Sequence, residues 1–252
     1  MLAKKQNMRI RIIIIFGLLI AGALLSACGL PIRYTEVRGS GVLATILKPV
    51  TGINAVELNG IGNLIIQQGD KESLEITAEE NLIKYIKSVS KGTSLHLYIE
   101  DYVNLRPTMN IIYRLTVKDL RRITADGIGQ IEVMPLETAH LGLKLSGNNA
   151  VMVSDLVADS FTLDASGLGD VEINGAVNSQ DISISGMGNY SAEALQSRKA
   201  RVSISGAGSA LLWATEELHA DLSGAGSIQY YGSPVVSTDI SGAGSVKSLG
   251  DK

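Results

Sequence analysis

The chain is poor in the residues that carry most covalent and metal chemistry. Its 252 residues include one cysteine, three histidines and five prolines, and aromatics make up 4%. A single cysteine excludes an internal disulfide framework and any multi-cysteine metal centre. His96, His140 and His219 are scattered without the spacing of ligands, so each reads as a satisfied surface or core residue. No metal or other cofactor is expected. Long apolar runs are lacking as well. The longest, Ile12–Leu25, has 14 residues, short of the about 20 that a membrane span needs.

That run sits in a recognisable context. Lys4, Lys5, Arg9 and Arg11 precede it, and Leu25-Ser26-Ala27-Cys28 follows it. A positive segment, an apolar segment and small residues before a cleavage point read as a secretory signal peptide over 1–27. The LSAC stretch resembles a bacterial lipobox. This resemblance implies cleavage before Cys28, a diacylglycerol on its thiol, and attachment to a membrane. Gly29 in place of an aspartate favours the outer membrane. Residues 1–27 hold four basic and no acidic groups, which leaves 18 basic against 25 acidic residues in the mature chain, a net of -7. Such a chain lacks the basic patch that nucleic-acid binding calls for.

Glycine is abundant at 27 residues, and its placement is periodic. Gly-x-Gly or a close variant begins at Gly127, Gly147, Gly167, Gly186, Gly206, Gly224 and Gly242, at intervals of 20, 20, 19, 20, 18 and 18. Two residues before each glycine the chain is apolar, as at Leu145, Ile184 and Leu222. Four and six residues after it the chain is again mostly apolar, as at Val151 and Val153 or Val171 and Ile173. Polar residues such as Glu132, Glu172, Ser191, Gln229 and Lys247 alternate with them. This is the pattern of half-buried strands on either side of a turn, and repetition at a short fixed period marks a solenoid. The expected fold is all-β, a right-handed parallel β-helix of 18–20 residues per coil. With coils about 4.8 Å apart, six intervals would rise about 30 Å.

The glycines read as stacked corners, where freedom at positive φ and close backbone approach are useful. Ser or Asp precedes the first glycine of each corner, and a small hydroxyl there can bond local backbone. A phosphate loop would need a following helix, and here a strand follows. A calcium ladder would need Asp in every coil, and Asp170 is the only acid near that register. Asn59-Gly60-Ile61-Gly62 is a similar motif outside the regular run. The stretch 78–89 (AEENLIKYIKSV) has helical spacing at Leu82, Ile83 and Ile86, and is expected to be a short helix over one end of the solenoid. Residues 94–99 and 110–117 read as strands. The expected organisation is a signal over 1–27, a tether and first strand over 28–47, and a β-helical domain over 48–252.

The stretch TGINAVELNGIGNLIIQQGDKESLEITAEENLIKYI, then LTVKDLRRITADGIGQIEV, then the run closing on ADLSGAGSIQYYGSPVVSTDISGAGSV, resembles the bacterial head GIN domain family, which is labelled putative auto-transporter adhesin. The likeness covers roughly residues 38–249 and departs at Ser146-Gly147-Asn148-Asn149, where the second glycine is lost. An Asn in the left-handed region would preserve that corner. The resemblance implies a β-helical fold and a surface role, and brings no catalytic or binding residues with it.

The expected function is a non-enzymatic, lipid-anchored envelope protein that binds a glycan or protein ligand or assembles with copies of itself. Tyr190, Trp213, Tyr230 and Tyr231 are candidates for a binding patch, with Tyr190 and Tyr230 falling at core register. The alternatives are a periplasmic scaffold or sensor and an enzyme acting on polysaccharide. An enzyme would need converging carboxylates. Lys144, Asp164, Asp221 and Asp239 share an outward register, and Asp221 and Asp239 are one coil apart. The C-terminal coil, with only Asp251 and Lys252 to guard it, is a candidate edge for self-association.

Overall fold

A computed structural model of the chain describes residues 34–252. The expected signal peptide and Cys28 lie outside the described residues. Strands account for 71% of the structure and helix for about 2%, and the fold is a β-solenoid of about six turns. Glu36–Lys252 forms one compact unit; of the unit before it, Met1–Thr35, only Tyr34 and Thr35 are described.

The elements run β1 (Thr35–Arg38), β2 (Leu43–Lys48), β3 (Ala55–Ile61), β4 (Asn63–Gln68), β5 (Ser73–Glu79), α1 (Glu80–Ile83), β6 (Ile86–Lys91), β7 (Ser94–Ile99), β8 (Val103–Arg106) and β9 (Ile112–Val117). The regular coils follow as β10 (Arg122–Val133), β11 (Leu136–Ala165), β12 (Leu168–Ile184), β13 (Asn189–Ile204), β14 (Ser209–Leu222), β15 (Ser227–Tyr231), β16 (Val235–Ile240) and β17 (Ser245–Ser248). From β10 onward every pairing between these strands is parallel and joins equal positions of successive repeats. Gly127 lies beside Gly147, Val171 beside Tyr190, and Leu222 beside Ile240. The alternating apolar residues fall inside: Ala125, Ile131, Val133, Leu145, Val151 and Val153 are all buried.

The Asn59–Gly62 motif belongs to this stack. β3 lies parallel to β10 with Gly60 beside Gly127, and β4 continues the same coil with Leu64 beside Ile131. One further coil lies beneath it, formed by β7 against β3 and β9 against β4. The chain therefore leaves the second coil at Gln68, builds the first, and returns to the third at Arg122. The period is broken in sequence and kept in space.

The end of the stack is closed by antiparallel strands, β6 on β7 and β5 and β2 beyond β9. The helix expected over 78–89 is one turn, Glu80–Ile83, with only Leu82 buried. Ile86–Lys91 is a strand paired to β7. A helix this short cannot nucleate alone, and the open edge of β7 offers Ile86–Lys91 six register partners.

The opposite end is open. Val236, Thr238 and Ile240 continue the inward columns of Leu218, Ala220 and Leu222, yet all of β16 is exposed. Among the described residues, nothing packs over it.

Stacking, more than positive φ, explains the corner glycines. Gly206, Gly224 and Gly242 are not in the left-handed region. A Cβ on Gly224 would lie 1.9 Å from the carbonyl oxygen of Gly206, and one on Gly242 2.0 Å from that of Gly224. The corners are joined by Ala225 N–H donating to Gly206 O (3.1 Å) and Ala243 N–H to Gly224 O (3.1 Å). The corner that lacks a second glycine works differently from the sequence expectation. Gly147 takes positive φ at 88°. Asn149 is buried outside that region, and its Nδ2 donates to Ser146 O at 2.7 Å.

Candidate functional site

Just past the glycine corner, outward side chains of successive coils line up across the strands. One row runs Asn63, Gln130, Ala150, Asp170, Asn189, Ser209 and Ser227. The next runs Ile65, Glu132, Met152, Glu172, Ser191, Leu211 and Gln229. They line a groove of about 840 Å³. The order is dictated by the repeat: a period-2 strand sends alternate residues out, and parallel register places like positions one coil apart. Within the groove Ser209 Oγ donates to Asn189 Oδ1 (2.6 Å), and Asn189 Nδ2 donates to Asp170 Oδ1 (2.8 Å). Glu132 and Glu172 are two coils apart, about 10 Å at sheet spacing. Neither carries a hydrogen bond or ion pair among the described residues. No Lys or Arg lines this groove.

The coils themselves supply no wall, but the detour between the second and third coils does. Pro107, Thr108, Met109 and Asn110 border a pocket of about 570 Å³ that shares Asn63, Gln130 and Ala150 with the groove. This wall is clamped from behind by Glu79, a fully buried residue. Its carboxylate accepts from Thr108 Oγ1 (2.6 Å), Thr108 N–H (2.9 Å) and Gly41 N–H (2.7 Å). The Thr108 hydroxyl, against the cost of burial and with help from the backbone N–H groups, holds the Glu79 carboxyl below its ordinary range. A buried carboxylate at position 79 has no local sequence signature, because its partners are 29 and 38 residues away. The groove rows were legible as outward register; the wall and clamp were not.

The proposed carboxylate pair does sit side by side, with Asp221 beside Asp239. Asp221 is already engaged, however, by Arg201 (3.3 Å) and His219 (3.1 Å). Asp164 is separated from Asp221 in that row by Ser183 and Ser203, and Lys144 is exposed on an earlier coil. The other histidines are apart from it: His96 contacts Glu57 at 2.6 Å and His140 contacts Ser160 at 2.9 Å.

The aromatic candidates divide as their register requires. Tyr190 is buried, stacked on Phe161, with its hydroxyl donating to Gln180 Oε1 at 2.8 Å. Tyr230 is half-buried at core register. Trp213 and Tyr231 are neighbours on adjacent coils, and the Lys252 ammonium lies 5.3 and 5.4 Å from their ring centres. It also donates to Glu193 O. This slot arises where the coil shortens. Glu193–Leu195 bulge out of β13 between Ala192, beside Leu212, and Gln196, beside Trp213. Asp251 accepts from Ser233 (2.7 Å), so both terminal charges fasten the last coil.

The family model described as putative auto-transporter adhesin, head GIN domain, matches residues 53–234. Comparison with curated proteins finds no match. Among solved structures, a "putative adhesin" from Bacteroides fragilis is 26% identical with a TM-score of 0.80, covering 84% of this chain and 100% of its own. One from Parabacteroides merdae is 25% identical with a TM-score of 0.62, covering 85% and 99%. One from Parabacteroides distasonis, at 24% identity and a TM-score of 0.69, covers 85% and 100% and shares the fold.

Proposed function

We propose, since the chain belongs to the family described as putative auto-transporter adhesin, head GIN domain, that it is a non-enzymatic envelope protein that binds a ligand along its solenoid. In this reading residues 1–27 direct export, and Cys28 carries the lipid that holds the mature chain to a membrane, the outer membrane in the first instance. Among the described residues no helix is long and apolar enough to cross a membrane, which is compatible with attachment by lipid.

The observation that carries the binding role is the groove of aligned outward rows with two unengaged carboxylates, Glu132 and Glu172. Carboxylates, amides and hydroxyls in rows suit the hydroxyls of an extended glycan chain, and Met152 and Leu211 offer apolar contact between them. With no cation among the lining residues, the groove has nothing to pair with phosphates. Extended faces of this kind are how repeat solenoids commonly bind. The open end at Val236 and Ile240 is the surface through which a second copy would stack.

The test has two parts. Protease shaving of intact cells is expected to cut the solenoid in the wild type and to lose that cutting in Cys28→Ala. Cutting only after the outer membrane is permeabilised would favour a periplasmic scaffold or sensor. On a glycan array, binding by wild type and loss in Glu132→Gln with Glu172→Gln is expected. Turnover of the bound glycan would replace this reading with a polysaccharide-acting enzyme.

A further inference from the structure

From the corner at Gly127 onward the middle residue of each glycine corner is exposed, and these residues are not alike along the solenoid. In the earlier of these coils they are Ile128, Asn148, Leu168 and Met187, joined in register or by corner hydrogen bonds and continuing from the half-buried Ile61. In the last three they are Ala207, Ala225 and Ala243. Ile128 is 64% exposed, Leu168 48% and Met187 63%. The strip around them, from Ser and Gly before the middle residue to Gly or Asn after it, contains one charged residue, Asp126. Ile128 to Met187 covers three coil steps, about 14 Å. Large apolar side chains on a glycine-floored strip with a single charge at its edge are unlike the rest of this acidic surface.

The apolar end of the strip is the end at which the chain enters the solenoid. Glu36 is ion-paired to Arg106 at 3.3 Å, and Gly39 N–H donates to Arg106 O at 3.0 Å. Pro107–Met109 follow directly, and Met109, 42% exposed, borders the same pocket as Ile128 and Asn148. Glu36 is eight residue steps from Cys28, a reach of at most about 29 Å. A lipid on Cys28 would thus hold the entry point, and the Ile128 end of the strip with it, close to a bilayer at high effective concentration.

We infer that the strip Met109–Ile128–Leu168–Met187 is a membrane-docking edge, seated on the surface of the bilayer that holds the lipid of Cys28. The inference rests on the lipoprotein reading above. The small residues of the last three coils leave that end free of the bilayer, so the solenoid lies inclined with its open end outward.

The full-length protein, expressed with its signal and reconstituted into vesicles of phosphatidylethanolamine and phosphatidylglycerol, tests this. Acylated Cys28 has no free thiol, so Met187→Cys or Leu168→Cys provides a single site for an environment-sensitive fluorophore. Ser237→Cys on the last coil is the control. Blue-shifted emission quenched by spin-labelled lipid at 187 and 168, and water-like emission at 237, is expected. Water-like emission at 187 and 168 in protein that stays with the vesicles overturns the docking edge and leaves the anchor standing. A wild-type chain that reacts with maleimide and stays in the aqueous phase of a detergent partition overturns the anchor, and the docking edge with it.

Discussion

Gly224→Ala is expected to destabilise the solenoid by about 2–4 kcal/mol although it adds one methyl group. The new Cβ would sit 1.9 Å from the carbonyl oxygen of Gly206, against the 3.0 Å below which real Cβ atoms are essentially never found. The two coils must part by about 1 Å at this corner. Two hydrogen bonds flank it, Ser223 N–H to Ile204 O at 2.9 Å and Ala225 N–H to Gly206 O at 3.1 Å. Stretched by that amount they cease to be hydrogen bonds. Each is worth about 0.5–1.5 kcal/mol net, and the parted coils lose dispersion contacts besides. Guanidinium unfolding followed by far-ultraviolet circular dichroism measures the loss. Two companions separate the causes. Ala225→Ser, at an exposed position of the same corner, should be neutral. Gly92→Ala, with φ at 60° and no atom within 4 Å of the added carbon, should cost about 1 kcal/mol through backbone strain alone. A Gly224→Ala protein as stable as Ala225→Ser would refute the stacking argument.

Three further outcomes are expected. The Glu79 carboxyl is held below the unfolded value, so it contributes stability above about pH 4.5, and this contribution is lost as pH falls through its lower folded pKa. Glu79→Gln should therefore melt earlier than wild type at pH 7, with the gap narrowing below pH 4; a gap independent of pH would contradict the clamp. Tyr190→Phe leaves the buried Gln180 Oε1 without its donor, and should cost about 1–3 kcal/mol in the same unfolding assay. Lys252→Ala removes the ammonium beside Trp213, the only tryptophan, so the intrinsic emission should shift in protein of unchanged circular dichroism. Identical spectra would show that Lys252 does not occupy the slot.

Much of the fold was legible because a parallel stack repeats the same environment. Apolar residues recur at fixed offsets from each glycine, and the structure pairs those offsets from Gly127 to Gly242. The strand at Ser94–Ile99 was equally clear from alternation. The segment before it was harder. Leu82, Ile83 and Ile86 satisfy a helical spacing, but Ile86 is buried as the first residue of a strand. The helix ends where pairing with β7 provides hydrogen bonds and an apolar face that a lone turn cannot supply. The Asn59–Gly62 motif carried the full pattern, with Leu58 before it and Leu64 and Ile66 after. Its separation of 67 residues from the next copy concealed that the two corners touch.

The sequence by itself determined the solenoid, its inward columns, its outward rows and the need for small residues at the corners, because each is a local periodicity multiplied by stacking. It also carried the family, whose model matches residues 53–234. The tertiary structure alone decided the order of the first coils, the clamp of Glu79 on the Thr108 loop, and the engagement of Asp221 by Arg201 and His219. It also set the apolar strip beside the entry of the chain. Most of these depend on contacts between residues far apart in the chain, and no periodicity encodes which distant groups a folded backbone will bring together.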